Sequence, residues 1–144
     1  MSDRDQITNL IYRYAELIDD GDFAGVGELL GRAELTFEGY TTAVTGAEAV
    51  AGLYTSTTRR FDDGTPATKH VMTNVIVEVD GEQASSRSYF TVLQAVPGEL
   101  GLQPVIAGRY RDRFIRENDT WRFSAMHVIV DLVGDLSSHL LTEI

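Results

Sequence analysis

The chain has 144 residues and a mass of 15.9 kDa, enough for one hydrophobic core and too little for two ordinary domains, so residues 1–144 are expected to form a single domain. With 43% apolar and 24% charged residues the balance is globular rather than disordered. A net charge of −10 argues against nucleic acid or an anionic membrane as partner, because either polyanion would be repelled, and leaves a small-molecule substrate or another protein as easier company.

The first ten residues, MSDRDQITNL, are acidic and helically periodic, where a signal peptide needs a basic start and an unbroken apolar run. Around HVIVDLVG the longest apolar stretch falls far short of the roughly 20 residues that span a bilayer. A soluble, cytoplasmic protein is expected. Ile7, Leu10, Ile11, Tyr14, Leu17 and Ile18 recur at three- and four-residue steps, which predicts an amphipathic helix over 3–19, ended by Asp20-Gly21. DFAGVGELLG reads as a short second helix capped by Asp22, and AELTFEGY as a first strand with Leu35 and Phe37 on one side. Thr45 and Glu48 have capping-box spacing, so a third helix is expected there, running through Tyr54 towards Phe61.

After DDGTPAT the pattern changes. HVMTNVIVEVDG, QASSRSYFTVLQAV, PVIAGRYRDRFIREN and TWRFSAMHVIVDLV are strand-like runs separated by turn signals, which predicts a meander of long antiparallel strands. Helices first and strands afterwards indicate an α+β fold, with helices packed on one face of a curved sheet. The concave face of such a sheet becomes either core or pocket.

Chemistry has few candidates. Cysteine is absent, and HExxH, GxSxG, phosphate-loop and dinucleotide motifs are missing. Three histidines far apart make a metal centre improbable, so neither metal nor cofactor is expected. His70 starts a strand and by alternation shares a face with Met72 and Asn74. Asp19 ends the first helix, where the macrodipole disfavours an anion. It is either a solvated helix end or the acceptor that fixes the His70 tautomer and leaves the other ring nitrogen as a general base. His127 is a second pocket group or a satisfied core histidine. His139, in DLSSHLLTEI, is expected at the surface of a C-terminal helix or lid. Arg109, Arg111 and Arg113 should share one face as a solvated or subunit-facing row.

Taken together, IYRYAELIDDGDFAGVGELL, VTGAEAVAGLY, TKHVMTNVIVEV and AGRYRDRFIRENDTWRFS resemble the SnoaL-like branch of the nuclear transport factor 2 (NTF2-like) superfamily over nearly the whole chain. The resemblance implies a cone-shaped, cystatin-like α+β barrel with a ligand cavity, usually in a homodimer or homotrimer. Scytalone dehydratase and hexachlorocyclohexane dehydrochlorinase, two members, use an Asp ending the first helix and a His starting a strand, and Asp19 and His70 fall at those places. Ile18, Val105 and Met126 occupy positions where one or other of those enzymes carries a Tyr, a second His or an Arg, so neither substrate carries over. The expected activity is a cofactor-independent lyase or isomerase acting on a small, largely apolar cyclic compound. His70 would be base and Asp19 its orienting acid, with Tyr14, Tyr40, Asn74 and His127 as substrate-binding candidates. The alternatives are a non-catalytic small-ligand-binding or accessory protein, and a polyketide cyclase.

Overall fold

A computed structural model describes residues 1–142. Helix α1 spans Asp3–Asp19, α2 Phe23–Leu29 and α3 Ala47–Thr57; the strands are β1 Glu34–Phe37, β2 Thr68–Asp80, β3 Gln83–Val96, β4 Leu100–Glu117 and β5 Thr120–Val133. The predicted stripe of α1 is the buried one: Ile7, Ile11, Tyr14, Leu17 and Ile18 all face the core. Ser2 caps its start by accepting from the Asp5 N–H, and Asp22 caps α2 by accepting from Gly25.

The four long strands form the expected antiparallel meander, and the sheet order is β1-β5-β4-β3-β2. β1 is shorter than AELTFEGY suggests and joins the sheet parallel to β5, because the chain turns away at Gly39, where φ is +89°. Thr45 does not cap α3: Gly46 occupies the cap position at φ +92° and no side chain bonds to the first turn. The helix also stops at Thr57, short of Phe61.

Alternation along β4 sets the two faces of the sheet. Tyr110, Asp112 and Phe114 are buried beneath the helices, while Arg109, Arg111 and Arg113 lie on the opposite, outer face, where Arg109 pairs with Asp131 at 2.8 Å. α1 packs across β2 and β5, and α2 against α3. Among the described residues no helix is long and apolar enough to cross a membrane.

The turn after α1 controls where that helix ends against the sheet. Gly21 sits at φ +74°, and a Cβ added there would lie 2.0 Å from the Gly64 carbonyl oxygen. Both the backbone angle and the contact therefore require glycine. Gly21→Ala is expected to destabilise the protein by about 1–3 kcal/mol, seen as a lower urea midpoint with an unchanged slope. An unchanged midpoint would mean that this turn does not fix the end of α1.

Candidate functional site

β2 is an edge strand, so part of its backbone has no strand partner on one side. Asp19, the last residue of α1, fills that gap. Its Oδ2 accepts the His70 backbone N–H at 2.7 Å, and its Oδ1 accepts the Thr68 hydroxyl at 2.9 Å and lies 2.7 Å from His70 Nδ1. Thr68 and His70 are two residues apart and present both side chains to one carboxylate, as the period of a strand requires. The side chains of His70 and Asp19 are only 7% and 10% exposed. Burial pulls the Asp19 carboxyl upward, but the hydrogen bond and charge of the His70 ring, the His70 N–H and Thr68 together hold it below the ordinary carboxylate range. An ionised carboxylate is an acceptor only, so it calls for the proton on Nδ1 and leaves Nε2 as the basic nitrogen.

His70 borders a hollow of about 380 Å³ under the curved sheet. Most of its wall is apolar, from residues such as Ile18, Leu53, Phe90, Val92 and Ile106, and the mouth includes Tyr40, which is 67% exposed. A second depression, of about 440 Å³, borders the same junction but is flanked by exposed Tyr12, Glu16 and Lys69. The apolar hollow is the better reaction space because hydrogen bonds offered to a developing charge are stronger away from water.

Polar groups in the hollow are few. The Tyr14 and Tyr54 hydroxyls are 2.6 Å apart, and the Tyr110 ring packs edge-on against Tyr14 with centroids 5.6 Å apart. Burial pushes all three phenols well above their usual value, so each keeps its proton and can donate it in a hydrogen bond. His139 also lines the hollow and is buried, contrary to the surface position expected for it. Residues 137–139 form a turn rather than a helix, and Leu140 bridges to Thr58, which draws the segment over the cavity.

Of the predicted substrate-binding residues, Tyr14 lines the wall and Tyr40 the rim. Asn74 and His127 do not reach the hollow. A β-bulge between Thr73 and Ile76 breaks the alternation that put Asn74 beside His70, leaving Asn74 exposed at φ +54°. His127 pairs across from Arg111 on the outer face and meets the Thr36 hydroxyl at 2.7 Å through Nδ1. Tyr54, Tyr110, Thr68 and His139 were missed as site residues. The signal for His139 was its apolar setting between Leu136 and Leu140, and the signal for Tyr110 was its place between Arg109 and Arg111, on the side opposite the arginine row. Among the described residues no cluster of three or more His, Asp and Glu side chains is arranged to hold a metal ion.

With this geometry in view, similarity to known proteins narrows the assignment. The profile of the SnoaL-like domain matches residues 1–127. The chain belongs to the SnoaL-like domain family. An NTF2-like protein with a cystatin-like fold from Novosphingobium aromaticivorans superposes on this SnoaL-like chain with a TM-score of 0.73 at 25% identity, covering 94% of this chain and 86% of that one. A candidate scytalone dehydratase from the same organism gives 0.70 at 17% identity over 92% and 86% of the two chains. ActVI-ORFA from Streptomyces coelicolor gives 0.71 at 13% identity over 89% and 96%. The two lower identities speak for the shared fold alone. No curated protein matches the SnoaL-like chain significantly.

One buried acid lies behind the site rather than in it. Asp112, 2% exposed, meets only the Ser86 hydroxyl, at 3.4 Å, and its Oδ1 has no partner among the described residues. Burial pushes its carboxyl up to about 8, and the Ser86 contact lowers it only in part. A group raised in the folded state contributes stability that is complete below its unfolded value of 3.8 and is lost as pH climbs through the folded value. Relative to Asp112→Asn, which cannot ionise, the wild type should therefore lose stability between about pH 4 and pH 8, by at most about 1.4 kcal/mol per pH unit. Thermal melts of both proteins across that range check this, and a gap independent of pH would show that Asp112 does not bury as a neutral acid.

Proposed function

We propose that the protein is a cofactor-independent lyase or isomerase that removes a proton from a carbon next to a carbonyl in a small, largely apolar cyclic substrate. The observation that carries this reading is the 2.7 Å contact between Asp19 Oδ1 and His70 Nδ1 at the wall of an apolar hollow. His70 Nε2 takes the proton, and the imidazolium that forms is stabilised by the adjacent carboxylate. The electron pair left behind moves onto the carbonyl oxygen as an enolate. A phenol from the Tyr14–Tyr54 pair donates a hydrogen bond to that oxygen, where negative charge develops in a site sheltered from water.

Two outcomes follow from one intermediate. Where a ring double bond adjoins the deprotonated carbon, the enolate extends over it, and return of the proton from His70 to its far carbon gives the conjugated isomer. Expulsion of a hydroxyl from the neighbouring carbon, with the His70 proton completing a water molecule, gives an alkene. The hollow of about 380 Å³ accommodates a one- or two-ring compound, and its apolar wall favours carbon over charge. The membership in the SnoaL-like family and the likeness in fold to a candidate scytalone dehydratase are consistent with such chemistry without choosing the substrate.

Proton abstraction can be tested before the natural substrate is known. Deuterium uptake at the activated carbon of 2-tetralone in D₂O, followed by NMR, should be accelerated by the wild type. His70→Ala should slow it by roughly 10²–10⁴-fold with the fold intact, and Asp19→Asn should also slow it. Equal exchange with wild type and His70→Ala would rule out His70 as the base.

A further inference from the structure

His139 is a buried imidazole in the hollow that the proton-abstraction scheme leaves idle. Its residue is only 6% exposed, it lines the hollow, and its Nδ1 is fully buried with no hydrogen-bond partner among the described residues. Nδ1 is sealed from the hollow, whereas Nε2 is not sealed and has no hydrogen-bond partner among the described residues, so Nε2 is the ring nitrogen that a bound ligand can reach. The backbone that delivers it is fixed from several directions. Gln94 Nε2 donates to the Ser138 carbonyl at 2.9 Å, Arg59 N–H to the His139 carbonyl at 2.8 Å, and Leu141 N–H to Thr57 at 2.8 Å. These bonds tie the segment to β3 and to the end of α3, so the ring is held in place by main-chain contacts and not by a partner for the ring itself.

The ring is also suited to a neutral role. Burial, and the charge that His70 carries when protonated, push its pKa down to about 4, with Asp19 opposing only in part. At neutral pH its Nε2 therefore presents either an N–H or a lone pair, according to the tautomer, and no net charge.

We propose that His139 is a ligand-binding residue of this hollow, hydrogen-bonding a hydroxyl or carbonyl oxygen of the bound ring compound at the side covered by the C-terminal segment. The preferred ligand then carries at least two oxygens. One is placed for the Tyr14–Tyr54 hydroxyls, and a second meets His139. The inference rests on the reading of the hollow as a substrate site, but it concerns recognition and needs no turnover. His139 selects oxygenated ring compounds over hydrocarbons of the same shape, because a ring compound without the second oxygen displaces water from Nε2 and gives it no partner in return.

The test uses 2,7-dihydroxynaphthalene, which carries an oxygen at each end, and naphthalene as its apolar counterpart. Calorimetry should show the diol binding the wild type roughly three- to tenfold more tightly than His139→Leu, with His139→Gln in between and naphthalene indifferent to the substitution. On the wild type alone, saturation with the diol should shift the His139 ring signals in NMR spectra, a readout that survives if either variant fails to fold. Diol binding with unmoved His139 signals, or with equal affinity in a folded His139→Leu, would overturn the role of His139 while leaving proton abstraction by His70 to its own exchange assay. Failure of the wild type to bind the diol at all would overturn this proposal as well.

Discussion

One carboxylate joins the helical and sheet layers of this protein at the place where its chemistry is set. Asp19 ends α1, where the helix dipole opposes an anion, yet it accepts two hydrogen bonds from β2, the His70 N–H and the Thr68 hydroxyl, and holds the His70 ring at 2.7 Å. Those contacts pair the His70 N–H on the free edge of β2 and choose the tautomer of the ring in the same stroke. Removing the carboxylate would leave the His70 N–H and the Thr68 hydroxyl without this acceptor and the imidazole without direction, so structure and function share a point of dependence.

Around that point the hollow is supplied with neutral donors. Three phenols and His139 are all kept uncharged by burial, and Asp112 behind them is pushed towards its neutral form for the same reason. Low polarity thus does two things: it strengthens each hydrogen bond offered to a developing charge, and it prevents the hollow from holding fixed charges that a neutral ring compound could not answer. Asp19 is the exception, and its three donors are what allow it.

Much of the fold was legible because it is written in periodicities. The stripe of α1 follows the 3.6-residue repeat, and the four long strands follow the two-residue repeat with Asp80-Gly81, Pro97-Gly98 and Asn118-Asp119 between them. What misled the sequence reading were local breaks in those repeats. The bulge after Thr73 turned Asn74 outward, and Gly46 displaced Thr45 from the cap of α3. His127 follows its strand faithfully, but which side of a strand faces the helices is a tertiary fact. His139 and Tyr54 illustrate the same limit from the other direction: each becomes a site residue only when α3 and the C-terminal segment close over the sheet. Asp19 and His70 were recoverable because one sits at an electrostatically unfavourable helix end and the other at a strand start, positions that the family resemblance joins.

The central claim is that an ionised Asp19 fixes the proton of His70 on Nδ1 and frees Nε2 as the base. Nitrogen-15 NMR of the His70 ring in the unliganded protein, at a pH where the ring is neutral, reads this directly. The account predicts a protonated Nδ1 and a bare Nε2, with the preference lost in Asp19→Asn. A neutral ring carrying its proton on Nε2 in the wild type would contradict it.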